Sequence, residues 1–133
     1  MNWRQWIYER LIINPALTAI VPSQSMVAGG ALTGSPAIRP FLIIRVNEEA
    51  SELNDDERPV VTRREAVIWV YDEPGSYKKI DAALVVIRGI LTGPVNAPTG
   101  ISCRWQGDSV ELADDDLKAI TRNASFSMYG KVA

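Results

Sequence analysis

Residues 62–92 read TRREAVIWVYDEPGSYKKIDAALVVIRGILT, and this stretch decides the fold. From Arg64 to Tyr71 the side chains alternate in direction, as they do along any extended strand. Ala66, Ile68 and Val70 fall on one side, and Val67, Trp69 and Tyr71 on the other. Both sets have apolar character, so both faces of this strand are expected to be covered. Asp72-Glu73-Pro74-Gly75-Ser76 is turn chemistry. Beyond it, Ile80, Leu84, Ile87 and Leu91 recur at helical spacing between Tyr77 and Leu91. Val85, Val86 and Ile90 widen that stripe well past one face. A helix that is apolar nearly all round is buried on two sides. The second side is expected to lie under either the N-terminal helix or another subunit.

Upstream, Asn2 is placed to cap a first helix whose apolar stripe is Trp3, Trp6, Ile7 and Leu11. Asn14-Pro15 ends that helix and starts another: proline disfavours helical geometry in the residue before it and suits the first helical position. The second helix is short and closes at Pro22. Residues 23–40 are rich in Gly, Ser, Ala and Pro and are expected to form a flexible loop or a poor hairpin. Phe41 to Val46 reads as a central strand. Residues 48–58 read as an acidic surface loop; Glu48 to Glu57 carries six acids and no base.

Downstream, Gly93-Pro94 stops the central helix. Ile101, Cys103 and Trp105 alternate with polar residues, and Gly107-Asp108 is a two-residue hairpin signal leading to Val110 and Leu112. Asp114 is placed to cap a short turn running to Ile120, and Ala124, Phe126 and Met128 alternate in a last strand. The expected architecture is one α+β domain over residues 1–133. Its sheet is mostly antiparallel, of about four to five strands, with an N-terminal helix and one central helix packed on it.

Composition narrows function. A chain of 133 residues with 47% hydrophobic content can supply a core, and its net charge of −2 is not that of a basic nucleic-acid-binding module. No apolar run approaches the roughly 18 residues of a membrane span. The N-terminus lacks the apolar core of a signal peptide, so the expectation is a soluble protein outside the general secretory route. The single cysteine, Cys103, allows no intrachain disulfide. It alternates with apolar neighbours and is expected to be buried rather than reactive.

There is no histidine. That removes Ser-His and Cys-His nucleophilic pairs, histidine-ligated zinc and the commonest general base. No phosphate-binding glycine motif is present; Gly29-Gly30 and Gly34 are followed by no Lys-Ser or Lys-Thr. Asp114-Asp115-Asp116 offers oxygens to a hard cation, but a solvated turn with a helix cap is the simpler reading. Arg58, Arg63 and Arg64 form the notable basic cluster, best read as pairing with the acidic loop beside it. Asn123-Ala124-Ser125 matches a glycosylation sequon inside an expected strand and is discounted. These residues point to no enzyme, cofactor or metal.

Four stretches together resemble the tail-terminator, or tail-completion, proteins of long-tailed bacteriophages, a family of minor tail proteins. They are Leu11–Val21 (LIINPALTAIV), Pro40–Val46 (PFLIIRV), Ala66–Leu91 (AVIWVYDEPGSYKKIDAALVVIRGIL) and Asp116–Val132 (DLKAITRNASFSMYGKV). Residues 23–38 are longer and more glycine-rich than the family pattern, and the loop from Glu48 to Glu57 is more acidic. The resemblance implies a structural virion protein assembled in the host bacterial cytoplasm. Such proteins form rings, usually of six copies, that cap the head-proximal end of the tail tube. The cap stops tube polymerisation and offers a surface to the head–tail connector. The implied partners are further copies of the chain, the tail tube protein and the connector protein, with no membrane, and duplex DNA passes through without specific binding. Trp69, Tyr71, Tyr77, Val85, Val86 and Ile90 are the candidate subunit interface. Glu48, Glu49, Glu52, Asp55, Asp56 and Glu57 are candidates for the lumen or the tube-facing surface, where they would repel phosphate. The rival readings are a head-closure or neck adaptor of the head–tail interface, and a small non-viral α+β ligand-binding domain.

Overall fold

The structure is a computed structural model that describes residues 3–28, 38–47, 62–92 and 102–130. The expected cap at Asn2 and the helix stop at Gly93-Pro94 lie outside these residues. So do Gly29, Gly30, Gly34, Arg58 and the acidic loop from Glu48 to Glu57.

The elements follow in the order α1 (Trp3–Ile12), α2 (Pro15–Thr18), a 3-10 turn (Ser23–Ser25), β1 (Met26–Ala28), β2 (Phe41–Val46), β3 (Thr62–Asp72), α3 (Lys78–Thr92), β4 (Ser102–Asp108), β5 (Leu112–Asp114) and β6 (Ala119–Gly130). One six-stranded sheet has the order β1-β2-β3-β6-β4, and β5 also pairs with β6. All pairings are antiparallel except β1 with β2. The fold is α+β, with one more strand than the upper end of the expected range. Among the described residues, no helix is long and apolar enough to cross a membrane.

The additional strand is β1. Residues 26–28 were expected within a loop or poor hairpin, yet Met26, Val27 and Ala28 run parallel to Leu42, Ile43 and Ile44. Three residues are too few to show a period of two, and the parallel partner lies across a long connection, so no local pattern announces the pairing.

β3 is the centre of the sheet, paired with β2 along six residues and with β6 along eleven. Its even-numbered side, Ala66, Ile68 and Val70, is fully buried beneath the helices. α1 contributes Trp3, Trp6, Ile7 and Leu11 to the same core, the stripe read from spacing. α3 contributes Ile80, Ala83, Leu84, Ile87 and Leu91. The break between the first two helices also forms as expected. The Asn14 side chain accepts from the Ala16 and Leu17 amides at 3.0 and 3.3 Å, and Pro15 occupies the first turn.

The expected hairpin at Gly107-Asp108 does not form. Both residues stay inside β4, opposite Ser125 and Ala124 of β6, after a bulge between Trp105 and Gly107. Gly107 has φ +142°, a conformation that side chains disfavour, so the glycine marks the bulge rather than a turn. The chain leaves β4 at Ser109, whose hydroxyl accepts from the Asn123 amide at 3.0 Å. It then returns to the same side of β6 as β5. Asp114 caps the next turn, its carboxylate accepting from the Leu117 amide at 3.0 Å.

Candidate assembly surface

The side of the sheet away from the helices carries a second apolar cluster. Phe41, Ile43, Tyr71 and Ala119 are buried there, with Val27, Trp69 and Leu117 packed around them. Phe41 and Tyr71 face each other in the β2–β3 register and stack at 4.8 Å, nearly parallel. Trp69 lies 6.4 Å from Tyr71 at a tilt and is half-buried. The turn before β6 brings Leu117 over this cluster, and Arg39 holds the turn in place. Its guanidinium donates to the carbonyls of Lys118 and Leu117 at 2.9 and 2.6 Å and lies 5.8 Å from the Phe41 ring centre. Glu73 stands 3.5 Å away. Burial raises the pKa of the Tyr71 phenol, Asp114 adds to the rise, and Arg45 opposes it.

Further along the same face, more of the side chains are polar. Glu65, Val67, Gln106, Ser125 and Ser127 border a shallow recess of about 220 Å3.

On the opposite side, α3 presents a different surface. Its outward residues are Lys78, Ala82, Val85, Gly89 and Thr92, all exposed. Val85 is 72% exposed. Along the flank nearest β4, the Arg88 guanidinium covers the Trp105 ring at 3.8 Å. Asp81 is paired with Arg122, which also donates to the Ser109 carbonyl at 3.0 Å. The Tyr77 hydroxyl donates to the Leu112 carbonyl at 2.9 Å, tying the start of α3 to β5. Next to this contact, Val110 is 75% exposed in the connection between β4 and β5.

The candidate interface residues therefore do not share one surface. Trp69 and Tyr71 lie on the far side of the sheet from α3, because odd-numbered residues of β3 point away from the helices. Tyr77 is engaged with its own β5, and Val86 and Ile90 pack against the helix-side core. Only Val85 of the α3 candidates is largely exposed. Most of the extra apolar width of α3 is thus absorbed within the subunit. The acidic candidates Glu48, Glu49, Glu52, Asp55, Asp56 and Glu57 lie outside the described residues.

The other candidates are structural in setting. Cys103 packs against the core, and burial pushes its thiol up to about 12. Among the described residues, no group of three or more Cys, Asp or Glu side chains is placed to hold a metal ion. Sequence patterns missed Arg39, because its partners stand almost 80 residues away along the chain. They also missed the exposure of Val110, which the alternation places in a continuing strand.

No protein-family model matches the sequence, and no curated protein matches it. Among solved structures, a chain from the virion of a native gene transfer agent particle superposes with a TM-score of 0.69. The two chains share a fold. The match covers 98% of this chain and 95% of that one at 11% sequence identity.

Proposed function

We propose that this chain is a non-enzymatic structural subunit of a phage-like particle, and that it acts as a tail terminator. It forms a ring on the head-proximal end of the tail tube, stops tube polymerisation and presents the surface that the head connector meets. The observation that carries this reading is the near end-to-end likeness to a chain of a gene transfer agent virion. The four stretches that resemble tail terminators supply the finer role, and the absence of histidine agrees with a role in assembly rather than chemistry. A six-fold ring, a tail tube protein and a connector as partners, and a virion location all belong to this reading.

A ring subunit needs two different faces that meet by rotation. Its lumen passes duplex DNA without retaining it, and Glu48, Glu49, Glu52, Asp55, Asp56 and Glu57 suit that wall by charge. Replacing all six with their amides should impair assembly or DNA release, and normal infectivity of that variant would remove them from the lumen.

The deciding experiment is electron microscopy of lysates from particles lacking this gene, with tail lengths counted. Overlong, variable, headless tails identify a terminator. Tails of normal length beside filled, unattached heads move the chain to the neck adaptor role. Normal joined particles overturn both.

A further inference from the structure

We propose that the outward face of α3 docks onto the connection from Asp108 to Asp116 of a second copy, and that this is one subunit contact of the ring. The inference rests on the ring reading above and names the two patches that meet.

The first patch is a helix face of low relief and positive charge. Ala82, Val85 and Gly89 follow at positions that share one side of a helix, and a β-carbon at Gly89 would meet nothing within 4 Å. Small side chains let a partner backbone approach closely, and Val85 supplies an apolar centre. Lys78 and Lys79 lie at one end of this face and Arg88 along its flank, all exposed. The acid on this helix, Asp81, is neutralised by Arg122 within the subunit. The surface therefore stays basic.

The second patch has the opposite charge and its own apolar centre. Residues 108–116 hold five acids and no base. Val110 stands 75% exposed among them. Asp108 and Asp114 spend a carboxylate oxygen on Trp105 and on the Leu117 amide. Glu111, Asp115 and Asp116 are exposed, and among the described residues no ion pair holds them or Lys78 and Lys79.

Opposite charge around two apolar centres is the pattern of a complementary interface: the valines exclude water and the charges fix partner and orientation. Because the two patches differ, each copy offers both sides of the contact: met by one neighbour across a two-fold axis they give a closed pair, and met by two neighbours they give the arrangement that the ring reading requires. The second arrangement is heterologous, the kind that closes into rings. A helix of 15 residues is about 22 Å long, enough to span a contact of ordinary size.

The test is charge exchange in the full chain, read by sedimentation velocity at low salt. The double variant Lys78→Glu, Lys79→Glu and the triple variant Glu111→Lys, Asp115→Lys, Asp116→Lys should each weaken self-association about tenfold or more. Combining all five changes in one chain should restore it, and so should mixing the two variants, since each then offers the charge the other lacks. Val85→Asp should weaken association with the thermal midpoint unchanged, which separates docking from folding. Association of the reversal variants at wild-type strength overturns the contact, as does a wild-type chain that stays monomeric at high concentration. Either result leaves tail-length counts free to support the terminator role through another surface.

Discussion

The two faces of the sheet solve the same burial problem by different means. On the helix side, β2, β3 and β6 are covered by α1, α2 and α3, and one continuous core runs from Trp3 to Met128. On the other side, among the described residues, one end is covered, and by a turn rather than a helix. Leu117 and the guanidinium of Arg39 close over Phe41 and Tyr71, while the described residues at the opposite end include serines and a charge. A helix brings a row of apolar side chains as one rigid unit. A turn brings a single apolar side chain and must be tied down by hydrogen bonds. The second solution depends far more on individual polar contacts.

Truncating one side chain on each face tests this comparison most severely. Phe126→Ala, beneath the helices, should cost about 4 kcal/mol in denaturant unfolding, the usual range for emptying an aromatic core site. Phe41→Ala should cost about 3 kcal/mol, because its ring is also fully buried and stacked on Tyr71. A loss below about 1 kcal/mol at Phe41 would mean the outer cluster collapses around the gap and is not a true second core.

Arg39→Ala comes next. It leaves the carbonyls of Leu117 and Lys118 without their donor and should cost about 2 kcal/mol. Glu73→Ala, which touches the same guanidinium from an exposed position, should change stability by less than about 0.5 kcal/mol. Equal effects from the two variants would show that the ion pair, and not the carbonyl contacts, secures the turn. Hydrogen exchange at the Leu117 amide should quicken in Arg39→Ala while amides of β3 keep their protection.

Cys103 gives a gentler test on the helix side. Its thiol is raised from an ordinary value of 9.0 to about 12 by burial. A raised folded-state value means that the folded protein holds the proton more tightly than the unfolded chain does. Its contribution to stability is thus complete below pH 9 and is lost as the pH climbs towards about 12. Cys103→Ser should flatten that alkaline decline. In the folded wild type at pH 8, iodoacetamide should label the thiol slowly, and denaturant should release fast labelling.

The faces also differ in how far sequence alone revealed them. The helix-side core was legible because periodicity reports it directly. Trp3, Trp6, Ile7 and Leu11 recur at helical spacing, and Ala66, Ile68 and Val70 at strand spacing. The other face was legible only as a need: Val67, Trp69 and Tyr71 called for a cover, and no pattern said what supplied it. Leu117 and Arg39 do so from positions 78 residues apart, and long-range contacts between single residues leave no local trace. Gly107-Asp108 misled for a related reason. A glycine beside an aspartate serves a bulge as readily as a turn, and the partner strand that decides between them comes later in the chain. At the candidate assembly surface, apolar width in α3 was visible, but its division between core and solvent depends on where α1 lies. Val86 and Ile90 went to the core and Val85 to the surface.

The long register between β3 and β6 also governs when this protein can fold. β3 is made early, yet its second neighbour runs from Ala119 to Gly130, so Ile68 waits for Ala124 and Ala66 for Phe126. Until that segment has left the ribosome, α1, α2, β2, β3 and α3 can gather only around an incomplete sheet with one side of its central strand unpaired. Such a species exposes both apolar side chains and a strand edge, the two features that drive aggregation. A nascent chain arrested with Thr92 just outside the ribosome should therefore engage chaperones and be readily cut by protease, and one carried on a C-terminal linker long enough to bring Gly130 outside should not. The strand that completes the sheet acts as the timer for folding during synthesis.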